Sequence, residues 1–384
     1  MENNKIKTII SVIVSTVAVI ALVVVIAVSS VIIGASKNLV EEEHSKAVTS
    51  AGEYAQSLCT YALLNDADKG LYVQLLTALQ DFNSFSCSAD KATVEKILNN
   101  YVLADFPEIF WSDGTVEVSS GTVTVGVTMT AAEAGQYHRE IEKTLKEIVE
   151  NSTFDEAEDD YDYAVKCFEW VCANLTQAGA SGSEDDGKSY GGIWSAVLQK
   201  KADSEGYAKL LQLLLAKRNI PCHTVIGTLK DNRDKHWFNV LTVNGETFYT
   251  DAFLADNSEG VMYEYFGQNA DMVKITRAFN GLVTGLPEGQ AESNYLVKNG
   301  YLASAPTREE IERVFKLCAQ NRVKPMQVMF SSAAETEQAK QLLSENNTLS
   351  DIFIALSNEG FTFHAFNIYI LNTPEGATVL YVTY

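Results

Sequence analysis

Apolar positions change their spacing several times along the chain. From Thr8 to Ala35 no charged residue appears, and Val, Ile and Ala dominate. At ~1.5 Å rise per residue such a run makes a helix roughly 40 Å long, whereas about 20 apolar residues suffice to span a bilayer core. Its Ser and Thr side chains can bond back to the helix backbone. Residues 37–65 read as a helix leaving the membrane. Leu71, Leu75, Leu76 and Leu79 then recur near a 3.6-residue period and predict a helix over about 68–82. Asp90 is placed to cap a third helix running to Leu103, and Pro107 breaks that pattern. Strict alternation follows at Val116 and Val118, and at Val123, Val125, Val127 and Met129. With Ser119-Ser120-Gly121 between them, these runs predict a β-hairpin. Residues 131–151 return to an amphipathic helical order.

Asp155 to Asp162 gathers acids before a helix that ends near Asn174. Carboxylates suit a helix start, and the calcium-loop pattern is missing, so a solvated helix start is the expectation. Gln177 to Gly192 is rich in Gly, Ser and Asp and reads as a surface loop. Beyond Asp256, residues 307–319 look helical, with Thr307 as cap and Glu310 at the capping-box position. Met326 to Phe330 is apolar and 333–345 is helical. Residues 361–370 and 378–384 are rich in aromatic and β-branched side chains and predict paired strands.

Charge gives this pattern a direction. Lys5 and Lys7 precede the apolar run, and Glu41, Glu42 and Glu43 soon follow it. The positive-inside rule puts the short N-terminus in the cytoplasm and the bulk of the chain on the extracytoplasmic side of the cell membrane. A cleaved signal peptide would carry an apolar region of about 7–15 residues. The longer run here predicts an uncleaved single-pass anchor. A net charge of -21, from 50 acids against 29 bases, excludes nucleic acid as a partner and a polybasic grip on lipid. The six cysteines (Cys59, Cys87, Cys167, Cys172, Cys222 and Cys318) show no CxxC spacing, which argues against a zinc or thioredoxin-type motif. Most sit in apolar helical contexts, and buried free thiols are expected. His138, His223 and His364 lack ligand partners at useful spacing, and His44 reads as surface, so neither metal nor cofactor is expected.

The stretch from Trp194 to Asp256 carries the chemistry. It contains Lys201-Ala202-Asp203-Ser204-Glu205-Gly206-Tyr207-Ala208, then a Leu-rich helix from Lys209 to Arg218. Ile220-Pro221-Cys222 follows, then a strand-like Thr224 to Gly227, then His236-Trp237-Phe238-Asn239-Val240. Asn244-Gly245 between apolar runs signals a tight hairpin, whose second strand ends Phe248-Tyr249-Thr250-Asp251. Ser204 therefore stands at a helix N-terminus, His236 on one strand and Asp251 at the end of its partner. A helix N-terminus stabilises negative charge. A carboxylate beside a histidine fixes its tautomer and steadies the imidazolium.

Taken together, these motifs resemble the transglutaminase-like superfamily, which shares the papain-like cysteine-enzyme architecture. The family pattern has Lys-Ala-Val-Cys-x-Gly-Tyr-Ala, a Leu-rich helix, Gly-Ile-Pro, His-Ala-Trp-Asn and a Trp or Tyr shortly before Asp-x-Thr-Trp. Gly206-Tyr207-Ala208, Ile220-Pro221, His236, Asn239, Tyr249 and Asp251 fall into those places. Asp105 to Trp111 and Asn294 to Gly300 are similar to segments flanking this domain in bacterial surface members. With the hydropathy and periodicity above, the resemblance gives an α+β chain with four parts. These are a cytoplasmic tip and transmembrane helix over 1–36, a helical stalk and β-hairpin over 37–152, a transglutaminase-like core over 153–260, and a C-terminal α+β region over 261–384.

The departures bear on activity. The nucleophilic cysteine's place holds Ser204, Asp203 replaces an apolar residue before it, and Phe253-Leu254 replaces a Thr-Trp pair. A serine hydroxyl must be deprotonated as it attacks, unlike a thiolate. A carboxylate beside it opposes a developing oxyanion. The expected protein is catalytically impaired and binds peptide, protein or cell-wall polymer beside Ser204, His236 and Asp251. An active Ser-His-Asp hydrolase or acyltransferase on peptide amide bonds is the alternative, and a spacer for the C-terminal region a third. Trp237 and Phe238 are expected as core aromatics, Tyr207 as an internal packing residue and Cys222 as a buried thiol.

Overall fold

A computed structural model describes residues 54–178, 192–363, 368–371, 373 and 375–384. The anchor expected at Thr8–Ala35, most of the Gln177–Gly192 loop, His44 and His364 lie outside the described residues. Among the described residues no helix is long and apolar enough to cross a membrane.

Local chemistry starts the helices. Asn65 accepts the Asp68 amide and opens α1 (Asp66–Asp81), which buries Leu71, Leu75, Leu76 and Leu79. Asp90 opens α2 (Lys91–Ile97) by accepting the Thr93 amide. The helix expected to continue plainly to Leu103 instead widens into a π turn over Leu98–Val102, then resumes at Leu103–Asp105. A π turn shifts the facing of every later residue, and Asp105 ends fully buried. β1 (Ser112–Ser119) and β2 (Thr122–Val127) form the expected hairpin, with Val118 opposite Val123 and Val116 opposite Val125. A Thr130–Glu133 capping box opens α3 (Ala131–Glu150). Asp159 caps α4 (Asp160–Asn174), with Asp160 and Asp162 in its first turn, so the acidic run is a helix start.

The centre is α5 (Ser204–Ala216). Leu210, Leu211, Leu213, Leu214 and Leu215 are all buried, each contributing about 1.5–3 kcal/mol. The helix packs on a five-stranded antiparallel sheet built from β3 (Cys222–Leu229), β4 (Lys235–Val243), β5 (Glu246–Thr250), β6 (Phe266–Gln268) and β7 (Arg277–Phe279). The strand order is β6-β5-β4-β3-β7, with α6 (Ala270–Thr276) between the two edge strands in sequence. Asn244 and Gly245 join β4 to β5 with φ of 54° and 81°, the turn geometry that matches strand twist.

The C-terminal part holds α7 (Arg308–Asn321), β8 (Met326–Met329), α8 (Ala333–Ser344), α9 (Thr348–Asn358), β9 (Tyr369–Ile370) and β10 (Val379–Thr383). Its sheet runs β8-β10-β9, all antiparallel. The strand expected over 361–370 is limited, among the described residues, to Tyr369–Ile370. The sequence reading placed no helix at α9. Asn347, which precedes it, is left-handed with φ 59° and makes no side-chain cap, so the usual start signal is missing.

Candidate functional site

Register positions the site. Gly227 lies opposite His236, Ile226 opposite Trp237 and Thr224 opposite Asn239. Side chains alternate between faces. Asn239 Nδ2 donates to Ala208 O at 3.1 Å, which marks its face as the one toward α5. Trp237 shares that face, whereas His236 and Phe238 take the other. Ser204 reaches the backbone of the sheet through its hydroxyl. Its Oγ accepts the Trp237 amide at 3.3 Å, from the peptide unit that joins Trp237 to His236. Among the described residues no hydrogen bond joins Ser204 Oγ to His236.

His236 Nε2 and Asp251 Oδ2 lie 2.7 Å apart, and both residues are buried. The β4–β5 hairpin supplies this approach, because Asp251 directly follows β5. Asp251 Oδ1 also accepts the Leu254 amide at 3.0 Å and so caps the helical turn Ala252–Ala255. A third partner was not foreseen from the sequence. Arg277 Nη1 donates to Asp251 Oδ2 at 2.6 Å, the same oxygen that faces His236. Arg277 is fully buried, donates to Gln268 Oε1, and lies 5.0 Å from the Phe238 ring centre and 5.5 Å from that of Tyr265. Burial opposes ionisation of Asp251. Electrostatic interaction with His236 and Arg277, the His236 hydrogen bond and the Leu254 amide outweigh it and hold the carboxyl below its usual range.

Gly227 makes the arrival of Arg277 possible. A Cβ at Gly227 would lie 2.5 Å from Ala278 O and 3.0 Å from Phe238 Cε1. Only glycine lets β7 approach β3 this closely. In the sequence, the available signal for Arg277 was a single cation within the strand-like run Ile275–Phe279.

The start of α5 carries a second charged group. Asp203 Oδ1 accepts the amides of Glu205 at 3.0 Å and Gly206 at 3.2 Å. Burial raises its carboxyl above the usual range, partly offset by these amides. The helix N–H groups beside Ser204 are thus already engaged by a resident carboxylate.

An open cleft of about 680 Å³ runs past the helix start. Glu205, Lys209 and Trp237 border it near Ser204, and Asn100, Phe110 and Asn280 lie further along. Glu205 and Lys209 pair at 2.6 Å, and Lys235 Nζ sits 4.1 Å from the Trp237 ring centre. Trp237 therefore faces the cleft, contrary to the expectation of a core aromatic, while Phe238 is buried as expected. Tyr207 is buried and donates to Asp256 Oδ2.

No described thiol near the site stands in for the missing cysteine. Cys172 Sγ donates to Ala252 O at 3.4 Å, and burial pushes the Cys172 and Cys222 thiols well up. Burial also raises Cys59 to about 11 and Cys318 to about 12. A thiol held protonated is a poor nucleophile. All six cysteines are unpaired. Cys167, Cys172, Cys222 and Cys318 are buried, and Cys59 and Cys87 are half-buried. Among the described residues no group of three His, Cys, Asp or Glu could hold a metal ion. His223 instead pairs through Nδ1 with buried Asp105 Oδ1 at 2.5 Å, and Tyr72 donates to Asp105 Oδ2 at 2.6 Å.

Comparison with known proteins matches residues 148–256 to the family model described as the transglutaminase-like superfamily. No curated protein matches the chain. A solved structure described as a TGase is 12% identical with a TM-score of 0.27, over 40% of this chain and 47% of its own. A candidate cysteine protease from Cytophaga hutchinsonii is 16% identical with a TM-score of 0.25, over 33% of this chain and 41% of its own. A candidate protease from Parabacteroides distasonis is 15% identical with a TM-score of 0.22, over 36% of this chain and 30% of its own. The chain thus spans less than half the length of each. The segment that matches the family model is the one that carries Ser204, His236 and Asp251, and the domain it forms belongs to the transglutaminase-like superfamily.

Proposed function

We propose that this is a membrane-anchored, extracytoplasmic transglutaminase-like protein that binds peptide, protein or cell-wall polymer in its cleft without turning it over. The observation that carries this reading is the Asp203 carboxylate at the start of α5, engaging the Glu205 and Gly206 amides. Acyl transfer from an amide develops negative charge on the carbonyl oxygen, and the donors that would receive it must be free. Here the Glu205 and Gly206 amides beside Ser204 are engaged, and the engaging group is itself an acid. Ser204 adds a nucleophile that must lose its proton during attack. At about 680 Å³ the cleft falls within the ~300–1,000 Å³ usual for ligand pockets, so it has room for a bound ligand. The anchor rests on the apolar run Thr8–Ala35.

The 2.7 Å contact of His236 with Asp251 favours a second reading, in which Ser204 attacks an amide, His236 takes its proton and Asp251 orients the imidazole. A fluorophosphonate probe separates the two. The binding reading expects no labelling of the folded full-length chain. It also expects substitutions at Glu205 and Lys209, but not Ser204→Ala, to alter co-sedimentation with insoluble cell wall or retention on denatured casein. Labelling that disappears in Ser204→Ala would overturn it in favour of the serine enzyme.

A further inference from the structure

Orientation of Asp251 does not require Arg277. The Leu254 amide fixes Oδ1, and His236 engages Oδ2. A guanidinium is nevertheless brought to Oδ2 at 2.6 Å and is wholly removed from water. Burying an uncompensated cation is costly. The fold offsets that cost with Gln268 and Thr276 as acceptors, two aromatic faces, and a glycine that admits the strand. This much support around one side chain calls for a role beyond holding a carboxylate still.

We propose that Arg277 is a positioning residue acting as a charge lock: by neutralising Asp251 it withholds from His236 the negative charge that a protonated imidazole needs, and so denies Ser204 an effective base. The inference rests on the reading of impaired catalysis and names what imposes it. Moving the Ser204 proton to His236 with Asp251 alone behind it would create a neutral imidazolium–carboxylate pair. With Arg277 in place the same transfer leaves a net positive charge in a buried cluster. Interactions of this kind are strong where water is excluded.

The other titratable groups around the cluster are Tyr265, Cys172 and Glu264. Burial raises Tyr265 and Cys172, so neither carries charge at neutral pH. Burial raises Glu264 to about 7. It would become a second acid near Arg277 above that pH, so the decisive comparison belongs at pH 6, with Glu264→Gln as a control.

The test uses the full-length chain carrying Ser204→Cys. Alkylation of the introduced thiol by iodoacetamide is followed against pH by mass spectrometry. With Arg277 present, the lock predicts an ordinary thiol profile that His236→Ala leaves unchanged. Adding Arg277→Gln should raise the pH 6 rate about tenfold or more, as expected for one unit of thiol acidity. His236→Ala should abolish that gain, and Arg277→Lys, which keeps the charge, should not produce it. A folded Arg277→Gln chain with an unchanged rate, or a gain independent of His236, overturns the lock. So does a His236-dependent low-pH thiolate while Arg277 is still in place, a result that needs no Arg277 variant to fold. Fluorophosphonate labelling of the unsubstituted chain is the separate result that defeats the binding reading. An unlabelled chain whose thiol ignores Arg277→Gln leaves that reading standing and removes only the lock.

Discussion

Gln212 offers the sharpest test of how the cleft wall is held. It lies inside α5 and is 1% exposed. Its Nε2 donates to Ala104 O at 2.9 Å, Asp105 O at 2.8 Å and Cys222 O at 2.9 Å. Its Oε1 accepts the Thr224 hydroxyl at 2.7 Å. Two N–H groups therefore serve three carbonyls, one of them bifurcated, and tie the end of the π-turn helix to both α5 and β3. Gln212→Leu keeps the volume and removes every one of these bonds. Each lost bond costs about 1 kcal/mol net, and the stranded Thr224 hydroxyl and buried carbonyls add to that. The expected loss is about 3–5 kcal/mol. Urea unfolding of the folded unit measures it as a lowered midpoint at constant m-value. The partner variant Thr224→Val supplies a double-mutant cycle. The double variant should cost less than the sum of the singles, because it leaves no orphaned hydroxyl. A Gln212→Leu loss below about 1 kcal/mol, or strict additivity with Thr224→Val, would refute the account of this network.

Two further outcomes follow from the buried ionisable groups. Burial raises Glu108 and Glu264 from 4.5 to about 7, so the folded chain keeps protons that the unfolded chain has released between those values. Stability should fall as pH rises from 5 to 8, by up to about 3 kcal/mol per group, and Glu108→Gln should flatten the slope in urea unfolding; a stability that rises with pH over this window contradicts it. Asp251 acts in the opposite sense, because its lowered carboxyl stabilises the fold above the usual carboxylate range and loses that effect only as pH falls below it. Iodoacetamide at pH 7.5 should leave Cys167, Cys172, Cys222 and Cys318 unmodified until the chain is denatured, and rapid labelling of Cys172 in the folded protein would contradict its burial.

Features set by neighbouring residues were legible in the sequence. Asp90, Thr130 and Thr307 cap their helices through the backbone amide three residues on, so each start could be read locally. Asn244-Gly245 fixed one hairpin, and that hairpin alone delivers Asp251 to His236. What escaped depends on non-local pairing. The role of Arg277 follows from β7 docking on the far side of β3, a partnership that no period in the sequence announces. The His223–Asp105–Tyr72 cluster joins three segments, and the π turn that precedes Asp105 has no compositional mark. Trp237 was misplaced because alternation tells which residues share a face, not which part of that face a helix leaves uncovered.

Asp203 and Arg277 gain meaning when considered together. Transfer of a proton from Ser204 to His236, followed by attack, creates negative charge at the helix start and positive charge on the imidazole. The fold puts a carboxylate at the first position and a guanidinium behind the second. Each fixed charge has the sign of the charge that would develop beside it. A catalytic site aligns its fixed dipoles with the developing ones, and this site opposes them at both ends. Ser204 alone could mark a change of nucleophile within working machinery. On the proposed binding reading, a reversed charge layout around the His236–Asp251 contact fits a scaffold kept for its shape, with the cleft beside Trp237 as the part open to a ligand.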